Sequence, residues 1–188
     1  MKVSYIAYAA LMICSVKNVY AIELQTLLND IANSPEKSAH FTETRRAYFL
    51  DSPLVSKGSI EFKAPDSLIK RLTHPKMVEQ RIEGDVVSLT QSEGSINVIS
   101  LSAHRELALG INAMRWVLMG NMLALKETFE LTLKEYKQLW QLELAPKNPD
   151  DISYISNISL IGKSNHITKI NIQHTNGDTT KIEIYDHK

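Results

Sequence analysis

Cysteine is nearly absent from this chain of 188 residues; the single copy, Cys14, rules out an internal disulfide framework. Surplus charge of either sign is absent too, with 21 Lys and Arg against 21 Asp and Glu. That balance argues against nucleic acid as a partner, because phosphate recognition leans on excess Lys and Arg. It also argues against a polybasic membrane anchor. Glycine (7) and proline (6) are too few for a collagen-like or low-complexity chain, and 44% apolar residues suit one ordinary globular domain. Among the motifs of cofactor and hydrolytic chemistry, H-E-x-x-H, the EF-hand loop, G-x-S-x-G, the P-loop and G-x-G-x-x-G are all missing. The six histidines (40, 74, 104, 166, 174, 187) show no i, i+2 or i, i+4 spacing and have no cysteine to join them, so no metal and no cofactor is expected. Glu83-Gly84-Asp85 brings two carboxylates together, but on a hairpin turn they read as a solvated turn. No catalytic residue is expected, and the chain does not read as an enzyme.

Long apolar runs are confined to the start. After Met1-Lys2 comes an uncharged run of 14 residues, Val3–Val16. It is shorter than the roughly 20 residues of a membrane span and has the length of a secretory h-region. Val19 and Ala21 form a small-x-small cleavage pattern, which divides the chain into a signal peptide (1–21) and an exported domain (22–188). Cleavage removes Lys2, Lys17 and Cys14 and no acid, leaving a mildly acidic, cysteine-free domain. Such a domain suits the bacterial periplasm, with no stable membrane insertion.

The periodicity of the remainder changes twice. Leu24, Leu27, Leu28 and Ile31 have helical spacing, and Ser34-Pro35 stops that helix. Alternation then predicts a strand run over 39–50, a turn at Asp51-Ser52-Pro53, and strands over 54–63, 67–73, 77–83, 86–91 and 96–101. From Ala103 to Glu127 the spacing is helical again, with Leu107, Ile111, Met114, Leu118, Met122 and Leu125 on one stripe and a bend expected at a glycine. Five more strands follow, beginning with Phe129, Leu131 and Leu133, then Trp140, Leu142 and Leu144, and continuing over 152–161, 167–173 and 179–185. The inventory is mostly β with helices (α+β), about ten or eleven antiparallel strands in one curved sheet packed by helices on its concave side. Met114, Met119 and Met122 beside Trp116 form an adaptable apolar surface that reads either as core or as a lid over a cavity.

Phe41-Thr42-Glu43-Thr44-Arg45, the segment Lys57-Gly58-Ser59-Ile60-Glu61-Phe62-Lys63-Ala64-Pro65-Asp66-Ser67-Leu68, Ile82-Glu83-Gly84, the Trp140–Pro146 strand and the Asn176-Gly177-Asp178 turn resemble, in that order, the periplasmic outer-membrane lipoprotein carriers, the LolA-like proteins. The resemblance implies an antiparallel half-barrel closed by the N-terminal helix and the central helical lid. It implies a monomeric carrier that shields the acyl chains of a lipoprotein or other lipidated cargo, with an inner-membrane exporter and an outer-membrane acceptor as partners. Candidate cavity walls are Ile60, Phe62, Leu68, Val78, Ile82, Val87 and Leu89 from the sheet, Met114, Leu118, Met119 and Met122 from the helix, and Trp140. In the family an Arg before the motif proline latches the lid. Ala64 stands there in this sequence, leaving Arg45, Arg46 and Lys63 as candidate latches. Arg45 or Arg46 must also face inward, with Glu43 as the expected partner. An acyl chain of about 15 methylenes is held in a membrane by roughly 12 kcal/mol, so a carrier needs a comparable apolar cavity, larger than about 300 Å³. A non-carrying binding or scaffold module of an export system is the alternative, and a lipid hydrolase a third class.

Overall fold

The computed structural model describes residues 23–185 except Glu36 and Ser153. The expected signal peptide and its cleavage site after Ala21 lie outside the described residues.

Eleven strands form one open, curved antiparallel sheet. In chain order they are β1 (Ser38–Arg46), β2 (Leu54–Lys63), β3 (Ser67–His74), β4 (Val78–Glu83), β5 (Val86–Gln91), β6 (Ile96–Ser100), β7 (Phe129–Tyr136), β8 (Leu139–Pro146), β9 (Ile155–Lys163), β10 (His166–His174) and β11 (Thr179–Tyr185). The spatial order is β6-β5-β4-β3-β2-β1-β11-β10-β9-β8-β7. Two meanders, β1–β6 and β7–β11, are therefore sewn together at mid-sheet by pairing of the first strand with the last, Phe41 opposite Ile184. The chain leaves the first meander at one outer edge and enters the second at the other. Its connection must cross the whole sheet, and that topology puts the helices α2 (Arg105–Leu118) and α3 (Met122–Thr128) over one face. Helix α1 (Leu24–Ala32) joins them there and feeds β1.

The bend expected near a glycine is at Gly120, whose φ of +69° is a backbone state glycine adopts freely. Asn121 restarts the chain as α3 by accepting the Ala124 N–H at 3.1 Å. Two expected boundaries shift by three residues or more. The strand over 39–50 ends at Arg46, because the Tyr48 N–H is taken by the Asp178 carboxylate (3.1 Å). The strand expected from Ile152 begins at Ile155, because Asn148 accepts the Asp150 N–H (2.9 Å) and Pro149 with two acids starts the short helix α4 (Pro149–Ile152).

Helix α2 is a wedge with two apolar sides. Leu109, Ala113 and Val117, at spacings of four, join α1 and β7–β10 in a core that includes Leu28, Leu142 and Leu160, all fully buried. Ala108, Ile111, Leu118 and Met119 turn instead toward a smaller core of Phe62, Leu68, Ile82, Val87 and Leu101. The register Phe62–Leu68–Ile82–Val87 puts these residues on one face, so the inward alternation read from the sequence holds across β2–β5.

Candidate functional site

Where the two cores meet at mid-sheet, packing is incomplete. A cavity of about 100 Å³ is walled by Ile31 of α1, Met114 and Leu118 of α2, Ala39, Ile60, Phe62 and Leu68 of β1–β3, and Ile167, Ile170 and Ile184 of β10–β11. Ala39 is the small member of this ring and Leu118 touches both cores. Polar residues gather at one end: Ser34, Lys37, Ser38, Asn165 and His166. A second depression of about 190 Å³ is bounded by His40, Phe41, Lys57, Gly58, Ser59, Thr73 and Tyr185.

The candidate wall residues divide into three groups. Ile60, Phe62, Leu68, Met114 and Leu118 line the cavity. Ile82, Val87, Leu89 and Met119 belong to the smaller core beside it, and Val78 is half-buried in β4. Met122 packs against the larger core, and Trp140 lies within it, 1% exposed, its indole N–H donating to the Ser164 carbonyl (2.7 Å). Neither of these two lines the cavity. The α1 residue Ile31 and the β10–β11 isoleucines complete the wall. The sequence marks them only as helix or strand, because nothing local shows that the last strand pairs with the first.

Helix α2 is fastened at both ends. At the start of α2 the Arg105 guanidinium donates to Asp151 (2.9 Å), and this contact raises the Arg105 pKa above its ordinary value. At the far end Arg115 reaches across to the sheet. Its Nη2 donates to Asp66 Oδ2 at 2.8 Å, in the turn after β2, and its Nη1 to the Gly84 carbonyl at 2.9 Å, in the turn after β4. Arg115 is 8% exposed, and its Nε has no hydrogen-bond partner among the described residues. The sequence carried a signal for this residue: from Leu107 to Leu125 it is the one charged side chain in an apolar helix.

The three candidate latches stand elsewhere. Lys63 is exposed and pairs with Glu61 at 3.3 Å, while Arg45 and Arg46 are exposed at the end of β1. The expected pairing of Glu43 with an arginine is replaced by Lys70, which sits on the inner face beside it and also over the Phe41 ring at 5.0 Å from the centroid. Register explains the change: Glu43 lies opposite Ser56, and Lys70 is one strand further, long enough to reach back.

No group of three or more His, Cys, Asp or Glu capable of holding a metal ion occurs among the described residues. No helix there is long and apolar enough to cross a membrane.

Residues 17–184 match the family described as "Outer membrane lipoprotein carrier protein LolA-like". The chain belongs to this LolA-like family. Solved structures similar to it include a LolA superfamily protein from Nitrosomonas europaea (13% identity, TM-score 0.47, covering 88% of this chain and 93% of that one). Another is the Mycobacterium tuberculosis lipoprotein LppX (13% identity, TM-score 0.43, 86% and 93%). A third is the Pseudomonas aeruginosa MucA/MucB complex (12% identity, TM-score 0.44, 87% and 56%). No curated protein matches the chain.

Proposed function

We propose that this LolA-like protein is a non-enzymatic periplasmic carrier that shields the acyl chains of a lipoprotein or other lipidated cargo on the way to the outer membrane. The observation that carries this reading is the apolar cavity at the seam of the two cores, under a helix fastened by ion pairs at both ends. About 100 Å³ is less than the roughly 300 Å³ of a ligand site, so this reading requires the cavity to enlarge when cargo enters. Opening means lifting α2 from the smaller core, where it contributes Ala108, Ile111, Leu118 and Met119. Cargo offsets that loss, since each methylene it buries returns about 0.8 kcal/mol. An inner-membrane exporter and an outer-membrane acceptor are the partners such a cycle needs.

The small size of the cavity also favours a second reading, a binding module with a filled core that carries nothing. Native mass spectrometry of protein purified from the periplasm separates the two. Co-purified lipid or acylated species, together with binding of a fluorescent fatty acid, is the expected result; neither being found would overturn the carrier reading.

A further inference from the structure

We infer that the cargo's acyl chain carries an anionic head group, held at the polar end of the cavity by Lys37; the inference rests on the carrier reading and narrows its ligand. The cavity is chemically two-ended. Its long walls are aliphatic and aromatic, but Ser34, Lys37 and Asn165 collect at one end. Those three side chains offer an ammonium, a hydroxyl and an amide, all able to donate, and no Asp or Glu is among the described lining residues. A neutral polar head would leave the ammonium half-desolvated without an opposite charge. A cationic head would be repelled.

Lys37 has capacity for a ligand. One ammonium hydrogen is engaged, donating to the Ala32 carbonyl at the C-terminal end of α1 (2.6 Å). An ammonium has three, and among the described residues Lys37 forms no ion pair. The bond to α1 also fixes the position of the charge, so little side-chain entropy remains to be lost on binding. The chain's own architecture sets this arrangement: α1 ends against the lid and β1 starts at Ser38, so the connecting residues must pass over the cavity's end. A carboxylate and a phosphate monoester share the required chemistry.

Isothermal titration of the full exported domain with decanoate, methyl decanoate and decyl phosphate tests this. Wild-type protein should prefer decanoate to its methyl ester by roughly tenfold or more at low salt, the scale of one charge-assisted hydrogen bond. Lys37→Gln should collapse that ratio toward one by weakening the acid and not the ester, whereas Lys37→Arg should keep it. The ratio is insensitive to any loosening of α1 that affects both ligands alike. Tighter binding of decyl phosphate than decanoate would assign a phosphate head, and the reverse a carboxylate; either supports the anionic head. Equal affinity for acid and ester, or a ratio that survives Lys37→Gln, would overturn the head-group inference and leave the carrier reading intact. Binding of none of the three would remove the carrier reading as well.

Discussion

Arg115 on α2 and Asp66 in the turn after β2 meet at 2.8 Å with unequal exposure: the arginine side chain is 10% exposed and the aspartate 39%. The inequality predicts an asymmetric response to mutation. Arg115→Met leaves a carboxylate that water can reach and should cost about 1 kcal/mol. Asp66→Asn leaves a buried guanidinium without an opposite charge, with only neutral acceptors (the new amide oxygen, the Gly84 carbonyl and Asn112 Oδ1) and an Nε already unpartnered, and should cost about 2 kcal/mol. Urea denaturation of both variants checks the order; equal costs would mean that the pair behaves as a surface ion pair.

The same contact controls the lid if α2 must lift to admit an acyl chain. Asp66→Asn removes the ion pair that holds α2 down and not a wall of the cavity, so it should raise the population of the open state. Stopped-flow uptake of a fluorescent fatty acid is expected to be several-fold faster than in wild type. Unchanged or slower uptake would argue that binding does not pass through this opening.

Ala39 allows the cavity to be tested separately from the core. Its side chain faces the space between α1 and β2 without belonging to either buried cluster. Ala39→Leu adds methyl groups where packing is incomplete, so stability should stay within about 1 kcal/mol of wild type or rise. Acyl-chain binding should fall at least tenfold. Loss of both together would mean that the residue is ordinary core.

The strands were legible because alternation is a local property: 54–63 and 86–91 were expected and observed with the same ends. The helix with a glycine bend was legible for the same reason. Two features were not. Pairing of β1 with β11 joins residues more than a hundred positions apart, and only that pairing brings Ile184 beside the cavity. The resemblance points to a fastening near Pro65, after β2, whereas Arg115 makes it from the helix. Its charge within an apolar stripe was visible, but its partners Asp66 and Gly84 are on two separate turns brought together only by the fold.

His174, the last residue of β10, gives the fold a pH response. Burial first, and then the nearby charge of Arg45, push its pKa below the usual histidine value, with Asp178 and a backbone hydrogen bond to Tyr154 opposing. The folded state thus disfavours the imidazolium. Its contribution is whole above the unfolded pKa of about 6.5 and is lost as pH falls below that value. The Tm should drop between pH 7 and pH 5, and His174→Gln should flatten the drop. Arg45→Gln should reduce it in part, through the second of the two causes. An identical slope in His174→Gln would assign the response to other groups.

Gly162 in β9 is required by the tryptophan beside it. Trp140 and Gly162 are directly paired across β8 and β9, and the ring lies over the glycine. A Cβ at position 162 would stand 2.1 Å from Trp140 Cζ2 and 2.3 Å from the His166 carbonyl oxygen. One of these neighbours is backbone and cannot move cheaply, and the other is a ring held by its hydrogen bond to Ser164. Gly162→Ala should therefore cost about 3 kcal/mol, at the upper end of overpacking, and should change the near-ultraviolet circular dichroism as the indole turns. Gly177→Ala provides the contrast. Its added Cβ meets nothing within 4 Å, so its cost should come from the positive φ of 90° alone, about 1 kcal/mol, with the tryptophan signal unchanged. If both variants lose the same stability and leave that signal alone, the glycine is not there to make room for the ring.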